Sequence, residues 1–420
     1  MAHSPCPSAR CPTPIVRLFK RDNRVDSKIR AMYRYLNSVP YIVPNRSRAS
    51  MNSKLCEMFG IDLPIFAFSH CRDVVAEVSK AGGMGVLGVA RSTPEQVEEE
   101  LRWIDEHVEG KPYGVDILMP TTYETKGVDL EASQQSLPDE HVQFVRKMLD
   151  DAGIPRLPDD EVDAIAARNM DSVNLTPEES AVMLDIAFKH PIKLIVNALG
   201  SPPRALVDRA HAQGIKIAAL AGSAKHAIRH RDAGCDFVIA AGNEAGGHTG
   251  AVTSMILWPQ IVDAVPDLPV LGAGGVGRGR QLAAALALGC EGVWCGSIWL
   301  KTVQSEVTPE IKARMFEAEA KDSVWTKALT GKTARMLRSG YTDAWEAPDA
   351  PRPLPPFRQR YLWEIEARGR LERARRNDYL IYPVGQLVGD FKEETSVRNV
   401  VMDMLNELVE TKERLDNVIG

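Results

Sequence analysis

The chain predicts a closed (β/α)8 barrel, a TIM barrel, on three observations. From Leu63 onward, short apolar runs alternate with amphipathic stretches, as in a parallel sheet covered by helices. The strand-like runs number eight, the count that closure requires. An open doubly wound sheet would instead carry a dinucleotide-binding glycine turn in its first βα unit, and no glycine joins the first strand, Pro64–Phe68, to its helix.

The elements follow in order. Pro64–Phe68 is the first strand and Val74–Ala81 its helix, ended by Gly82 and Gly83. Gly85–Gly88 is the second strand, Pro94–His107 an acidic amphipathic helix, and Tyr113–Met119 the third strand. The rhythm then breaks over Thr121–Pro191, far longer than an ordinary βα loop. Helical patches at Asp139–Asp150 and Pro177–Lys189 make this a helical excursion, with chain to spare for a lid. The rhythm resumes with strand Ile192–Val196, helix Pro203–Gln213, strand Ile215–Leu220 and helix Ala224–Ala233. Strand Phe237–Ala240, helix Trp258–Val265, strand Pro269–Gly272, helix Gly279–Leu288 and strand Gly292–Cys295 complete the barrel. A helical C-terminal extension follows. Its Pro348–Pro356 segment, with five prolines, reads as an extended linker, and Val397–Leu415 reads as an amphipathic terminal helix. The expected organisation is an N-terminal extension over 1–50, a barrel over 51–345 with its excursion at 121–190, and a linker and helical tail over 346–420.

Composition narrows the function classes. Of 420 residues, 44% are hydrophobic and 25% charged, ordinary for a globular chain. The formal net charge of −5 points to neither nucleic acid nor a membrane surface. No apolar run has the length of a membrane span. The first 50 residues carry ten Lys/Arg against two Asp/Glu. They read as a disordered extension or as chain upstream of a start at Met51, with a transit peptide as the alternative. Seven cysteines, at 6, 11, 56, 71, 235, 290 and 295, are irregularly spaced. They read as free thiols in a cytoplasmic protein, with no metal site among them, and Cys235, Cys290 and Cys295, beside or inside apolar runs, read as buried packing. A small-molecule substrate is expected, and self-association is left open.

Sites in such barrels lie on the loops after the strands. After the sixth strand comes Ala241-Gly242-Asn243-Glu244-Ala245-Gly246-Gly247-His248-Thr249-Gly250. Its glycines let backbone approach a ligand closely, and His248 can act as a base near neutral pH. After the seventh strand, Gly272–Gly279 opens a helix, and Gly296-Ser297 follows the eighth. Amides at a helix start and on these two loops suit a phosphate group. His70, at the end of the first strand, can face the site or serve the scaffold; Asn197, near the end of the fourth, can hydrogen-bond a ligand or cap the helix that starts near Pro202. Lys301 and Arg335 read as surface charges or tail anchors.

EAGGHTG (244–250), GAGGVGRG (272–279) and GVWCGS (292–297) together resemble the nitronate monooxygenase (2-nitropropane dioxygenase) family. The likeness runs from Gly60 to Phe391, apart from most of the excursion. It includes AGGMGVLG (81–88), KPYGVDIL (111–118), GIKIAALAGS (214–223), LTGKTARMLRS (329–339) and GQLVGD (385–390). The resemblance implies an FMN-dependent barrel that oxidises alkyl nitronates with O2. His248 would take the proton next to the nitro group, or steer an anionic nitronate. Gly246 and Gly247 would lie against the flavin, and Gly274, Gly275, Gly296 and Ser297 would hold its phosphate. Ala67, Phe68 and Asp116 would also meet the cofactor. The chain departs from the family where QAPM is replaced by Ala67-Phe68-Ser69-His70, GVN by Gly114-Val115-Asp116, and QVGT by Leu220-Ala221-Gly222-Ser223. Related enoyl and quinone reductases share much of the pattern, so an NAD(P)H-dependent flavin reductase is the alternative. A phosphate-binding barrel without redox chemistry is a further one.

Overall fold

The computed structural model describes residues 51–90, 92–119, 137–158, 160–162, 164–165 and 177–419. The readings made for residues 1–50, and for the excursion at 121–136 and 166–176, fall outside the described residues.

Eight parallel strands close a barrel: β1 Ile65–Ser69, β2 Met84–Gly88, β3 Tyr113–Asp116, β4 Leu194–Asn197, β5 Lys216–Ala221, β6 Phe237–Ala241, β7 Val270–Ala273 and β8 Gly292–Cys295. β1 pairs with β8, Phe66 opposite Trp294, to seal it. Alternation decides which residues fill the interior. Phe66, Met84, Val86, Leu194, Val196, Phe237, Ile239 and Leu271 form one core inside. Val115, Ile195, Ile217 and Ala219 turn outward into a second core shared with the helices. Helix Lys54–Phe59 closes the N-terminal end, the Phe59 ring standing 5.7 Å from Phe66 and 5.9 Å from Phe237. Each ring buried this way contributes about 1.5–3 kcal/mol.

Helices with a local cap begin where the sequence indicates. Pro94–His107 starts at a reciprocal cap between Thr93 and Gln96. Ala224–Ala233 lies between the Ser223 cap and Gly234, which takes a left-handed φ of 98°. Of the elements whose ends differ from expectation, two bear on the site. The helix expected from Trp258 begins at Ser254; its first turn is satisfied by the Glu244 carboxylate, which accepts from the Ser254 amide at 3.0 Å. β3 ends at Asp116 rather than Met119. There the Asn197 carboxamide takes over, accepting from the Met119 amide at 3.0 Å and donating to the Met119 carbonyl at 2.9 Å.

The C-terminal extension packs as one compact unit with the barrel. Val145 and Leu149, on excursion helix Asp139–Asp151, share a core with Tyr341, Trp345, Leu354 and Trp363. The proline-rich segment is pinned in this core: Leu354 is buried, its amide donates to Gln359 Oε1 at 2.8 Å, and Gln359 donates to the Ala328 carbonyl at 2.7 Å. Helix Val397–Ile419 lies against helix Gly279–Ala287 at a spacing that only glycine permits. A Cβ on Gly279 would overlap the Met404 carbonyl oxygen and the Leu408 amide. Gly279→Val should therefore detach the terminal helix, costing roughly 3 kcal/mol. Limited proteolysis would show early cleavage beyond residue 391; unchanged digestion and melting would refute the close-packing account.

Cys56, Cys71, Cys235, Cys290 and Cys295 are free and buried. Burial pushes the Cys235, Cys290 and Cys295 thiols up to about 12, which makes them poor nucleophiles. Among the described residues, no helix is long and apolar enough to cross a membrane.

Candidate active site

The loop after β6 is held from three sides. Its Gly247–His248 forms a short strand against Ala334–Leu337, which pairs in turn with Ser323–Thr326, all antiparallel. Glu244 reaches across to Ser254, accepting from its hydroxyl at 2.8 Å. Ser254 Oγ also lies 3.0 Å from the Gly274 carbonyl, so one serine ties the loop after β6 to the loop after β7. Arg335, only 9% exposed, donates to the Asn243 carbonyl and, at 2.7 Å, to the Ser323 carbonyl. Arg335 is thus an anchor of the site loop. Lys301 serves the tail: its carbonyl accepts from the Thr395 amide, and its ammonium sits 5.9 Å from the centre of the Phe391 ring.

His248 stands exposed at the mouth, flanked by the loop that leads to Ala334. Its Nδ1 lies 3.2 Å from the Thr333 carbonyl, which can only accept, so Nδ1 carries the proton in the neutral ring. Nε2 is then the lone-pair nitrogen, with the Thr330 hydroxyl 3.4 Å away. Desolvation by the surrounding wall holds the imidazole pKa below its ordinary value. The Thr333 bond opposes this shift, and the Lys332 and Arg360 cations add to it. A neutral histidine with a directed Nε2 lone pair, set among cations, is equipped to accept a proton from a carbon acid and to hold the resulting anion.

The two phosphate-loop candidates lie side by side, because β7 and β8 are neighbours. Gly274 and Gly275 take φ of 103° and 71°, a left-handed pair that side chains resist. Such successive turns point amides into a concavity suited to an anion. The helix start itself is occupied: Gln281 Oε1 accepts from the Gly277 and Arg278 amides at 2.8 and 3.0 Å. Any anion would meet the backbone before it, at Gly275 and Val276. Around Gly296 there is open space where a Cβ would stand. Ser297 Oγ accepts from the Gly385 amide at 2.9 Å, leaving its own hydroxyl hydrogen to donate.

The remaining candidates divide by strand face. Phe68 and Asp116 fall on the alternation that faces the barrel interior, whereas Ala67 faces the helix layer and can meet a ligand only through its backbone. Gly247 opens on empty space, but a Cβ on Gly246 would press on Val384 and Gly385, so Gly246 makes room for the C-terminal segment. Asn197 is fully buried with both ends of its carboxamide bonded to Met119, Leu199 and Gly200. It is a clamp between strand ends, neither ligand donor nor helix cap. His70 is exposed, with Nδ1 2.7 Å from the Gly88 carbonyl. Its ring meets Phe68 edge-on at 5.1 Å.

Asp116 stands apart. It is 4% exposed, and among the described residues its Oδ1 has no hydrogen-bond partner. Burial alone lifts its carboxyl to about 7. Sequence reading did not single out Ser254, Thr330 or Thr333. The first shows only as a serine four residues ahead of an expected helix, and the other two lie inside the LTGKTARMLRS stretch, whose alternation over 334–337 was its one visible signal.

The nitronate monooxygenase family pattern matches residues 52–407. A Mycobacterium tuberculosis protein assigned by name as a monooxygenase is 45% identical over 377 residues, covering 88% of this chain and all of its relative. A Staphylococcus aureus protein assigned by name as a nitronate monooxygenase is 28% identical, over 69% of this chain and 79% of that one. Among solved structures, nitroalkane oxidase from Streptomyces ansochromogenes superposes with a TM-score of 0.68 at 24% identity, covering 86% of this chain and 99% of that one. FabK from Thermotoga maritima superposes at 0.64 and 23%, covering 88% and 100%. These two likenesses speak to the fold.

Proposed function

The chain belongs to the nitronate monooxygenase family and is an oxidoreductase of that type; from that premise we propose that it binds FMN and oxidises alkyl nitronates with O2, with His248 as the base that forms the nitronate when the substrate arrives as the neutral nitroalkane. The observation that carries this reading is the His248 ring, held by the Thr333 carbonyl in the tautomer that leaves Nε2 to accept a proton at the barrel mouth. The backbone fits the cofactor. Gly275 and Val276 with Gly296 and Ser297 offer amides and a hydroxyl to a phosphate, on adjacent strand ends and with open space at Gly296. The buried Asp116 carboxyl with its unpartnered oxygen is a polar group awaiting a polar ligand at the same mouth.

When bound, flavin supplies electron acceptance from the substrate and delivery to O2. The chain supplies the rest. Nε2 of His248 accepts the proton from the carbon next to a nitro group, and the Thr333 carbonyl steadies the imidazolium through Nδ1–H. Lys332 and Arg360 lend positive potential to the nitronate, whether formed there or bound from solution. Arg335 and Glu244 fix the loop so that these groups keep their positions.

The test is anaerobic. The FMN-loaded protein, mixed separately with ethyl nitronate, NADH and NADPH, should lose its flavin absorbance with the nitronate alone. Rapid bleaching by NADH or NADPH would instead support the reductase alternative. A colourless protein that cannot be reconstituted with FMN would overturn both.

A further inference from the structure

We propose that Asp116 keeps its proton in the folded protein, donates it in a hydrogen bond to the flavin ring system, and thereby links cofactor retention to pH. The inference rests on the FMN reading above and goes beyond it by giving a named side chain a protonation state and a role.

The geometry leaves Asp116 few alternatives. It ends β3 on the face that, by alternation, looks into the barrel, and it is 4% exposed. Its pairing partner on β2 is Gly88, which carries no side chain, and on β4 it is Val196, which is apolar. Beyond Gly88 lie the Phe68 ring and His70; the His70 Cε1 is 2.9 Å from the point where a Gly88 Cβ would stand. His70 is the titratable group on that side, and its Nδ1 is engaged by the Gly88 carbonyl. On the β4 side the polar group is Asn197, whose carboxamide is used by Met119, Leu199 and Gly200. No ion pair or hydrogen bond from these elements reaches the Asp116 carboxyl, and Oδ1 stays unpartnered. A charged carboxylate in such surroundings is costly, whereas a neutral carboxyl needs only an acceptor for its one hydrogen. The carbonyl and ring-nitrogen acceptors of an isoalloxazine meet that need. A carboxylate could not donate, and it would repel electron density on the reduced ring. Asparagine, the residue that the family pattern carries here, also donates, but it does not titrate. Aspartate therefore adds proton dependence to a contact that asparagine makes at every pH.

The experiment measures FMN affinity by quenching of flavin fluorescence at pH 6, 7, 8 and 9, for the wild-type chain and Asp116→Asn. The FMN phosphate is already dianionic above about pH 7, so it adds little there. If only the protonated carboxyl binds, affinity falls up to about tenfold for each pH unit above its pKa. The wild-type dissociation constant should therefore rise at least about tenfold between pH 7 and 9. Asp116→Asn should remain flat over the range, and circular dichroism checks that it is folded. Wild-type affinity independent of pH, or an Asn variant as steep as wild type, would overturn the role of Asp116 while leaving FMN binding intact. Failure of the wild-type chain to bind FMN at any pH would overturn both readings.

Discussion

His248→Ala should lower turnover of a neutral nitroalkane by roughly 10²-fold or more, the usual scale for loss of a positioned base. The same variant should lose much less with a preformed nitronate, whose carbon has already given up its proton. This split separates proton abstraction from electrostatic steering. If both substrates fall equally, His248 holds the anion and is not the base; if neither falls, it has no part in turnover. The pH profile gives a second measure. The base must be neutral to act, and desolvation by the wall around this exposed ring holds the His248 pKa below its ordinary value of 6.5. The acid limb of kcat/KM for the neutral nitroalkane should therefore have its midpoint below 6.5, with activity persisting into mildly acidic solution. In His248→Ala that limb should disappear from whatever activity remains.

The barrel was legible because its determinants are local. Apolar runs of strand length, caps such as Thr93 with Gln96, and the glycine after Ala233 each act within a few residues. The glycine loops of the site were legible for the same reason. Gly274 and Gly275 require left-handed backbone, and the sequence records it directly. What escaped depends on partners far along the chain. Nothing beside Ser254 announces that Glu244 will cap its helix, or that this serine will join two site loops. Gly246 reads as a flavin contact, and only the fold shows that Val384 and Gly385 also stand where its side chain would be. Asn197 reads as a cap or a ligand donor because its position suits both, yet Met119, on the neighbouring strand's continuation, uses it up. The aspartate at 116 was visible as a departure from the family pattern; that its Oδ1 has no partner among the described residues was not, since isolation depends on every element around the mouth.

That isolation should have a thermodynamic signature even without cofactor. Asp116 has a folded-state pKa raised to about 7 from an ordinary 3.8, with burial as the cause. The folded chain thus binds its proton more tightly than the unfolded chain does. The stability this confers is fully present below about pH 3.8 and is lost as pH rises through about 7. A shift of this size corresponds to roughly 4 kcal/mol at 1.36 kcal/mol per unit. Asp116→Asn removes the titration while keeping the shape. Denaturant melts of the two flavin-free proteins across pH 4.5 to 8 should therefore diverge, the Asn variant becoming more stable relative to wild type by up to roughly 4 kcal/mol at the alkaline end. Other groups titrate in both proteins and cancel in the difference, provided they do not contact residue 116. A constant gap across the range would mean that the carboxyl ionises as freely in the fold as in the unfolded chain, and that the mouth is wetter than its packing indicates. Adding FMN should widen the gap above pH 7, because the ligand stabilises whichever folded form binds it better, and asparagine retains the donor that ionised aspartate loses.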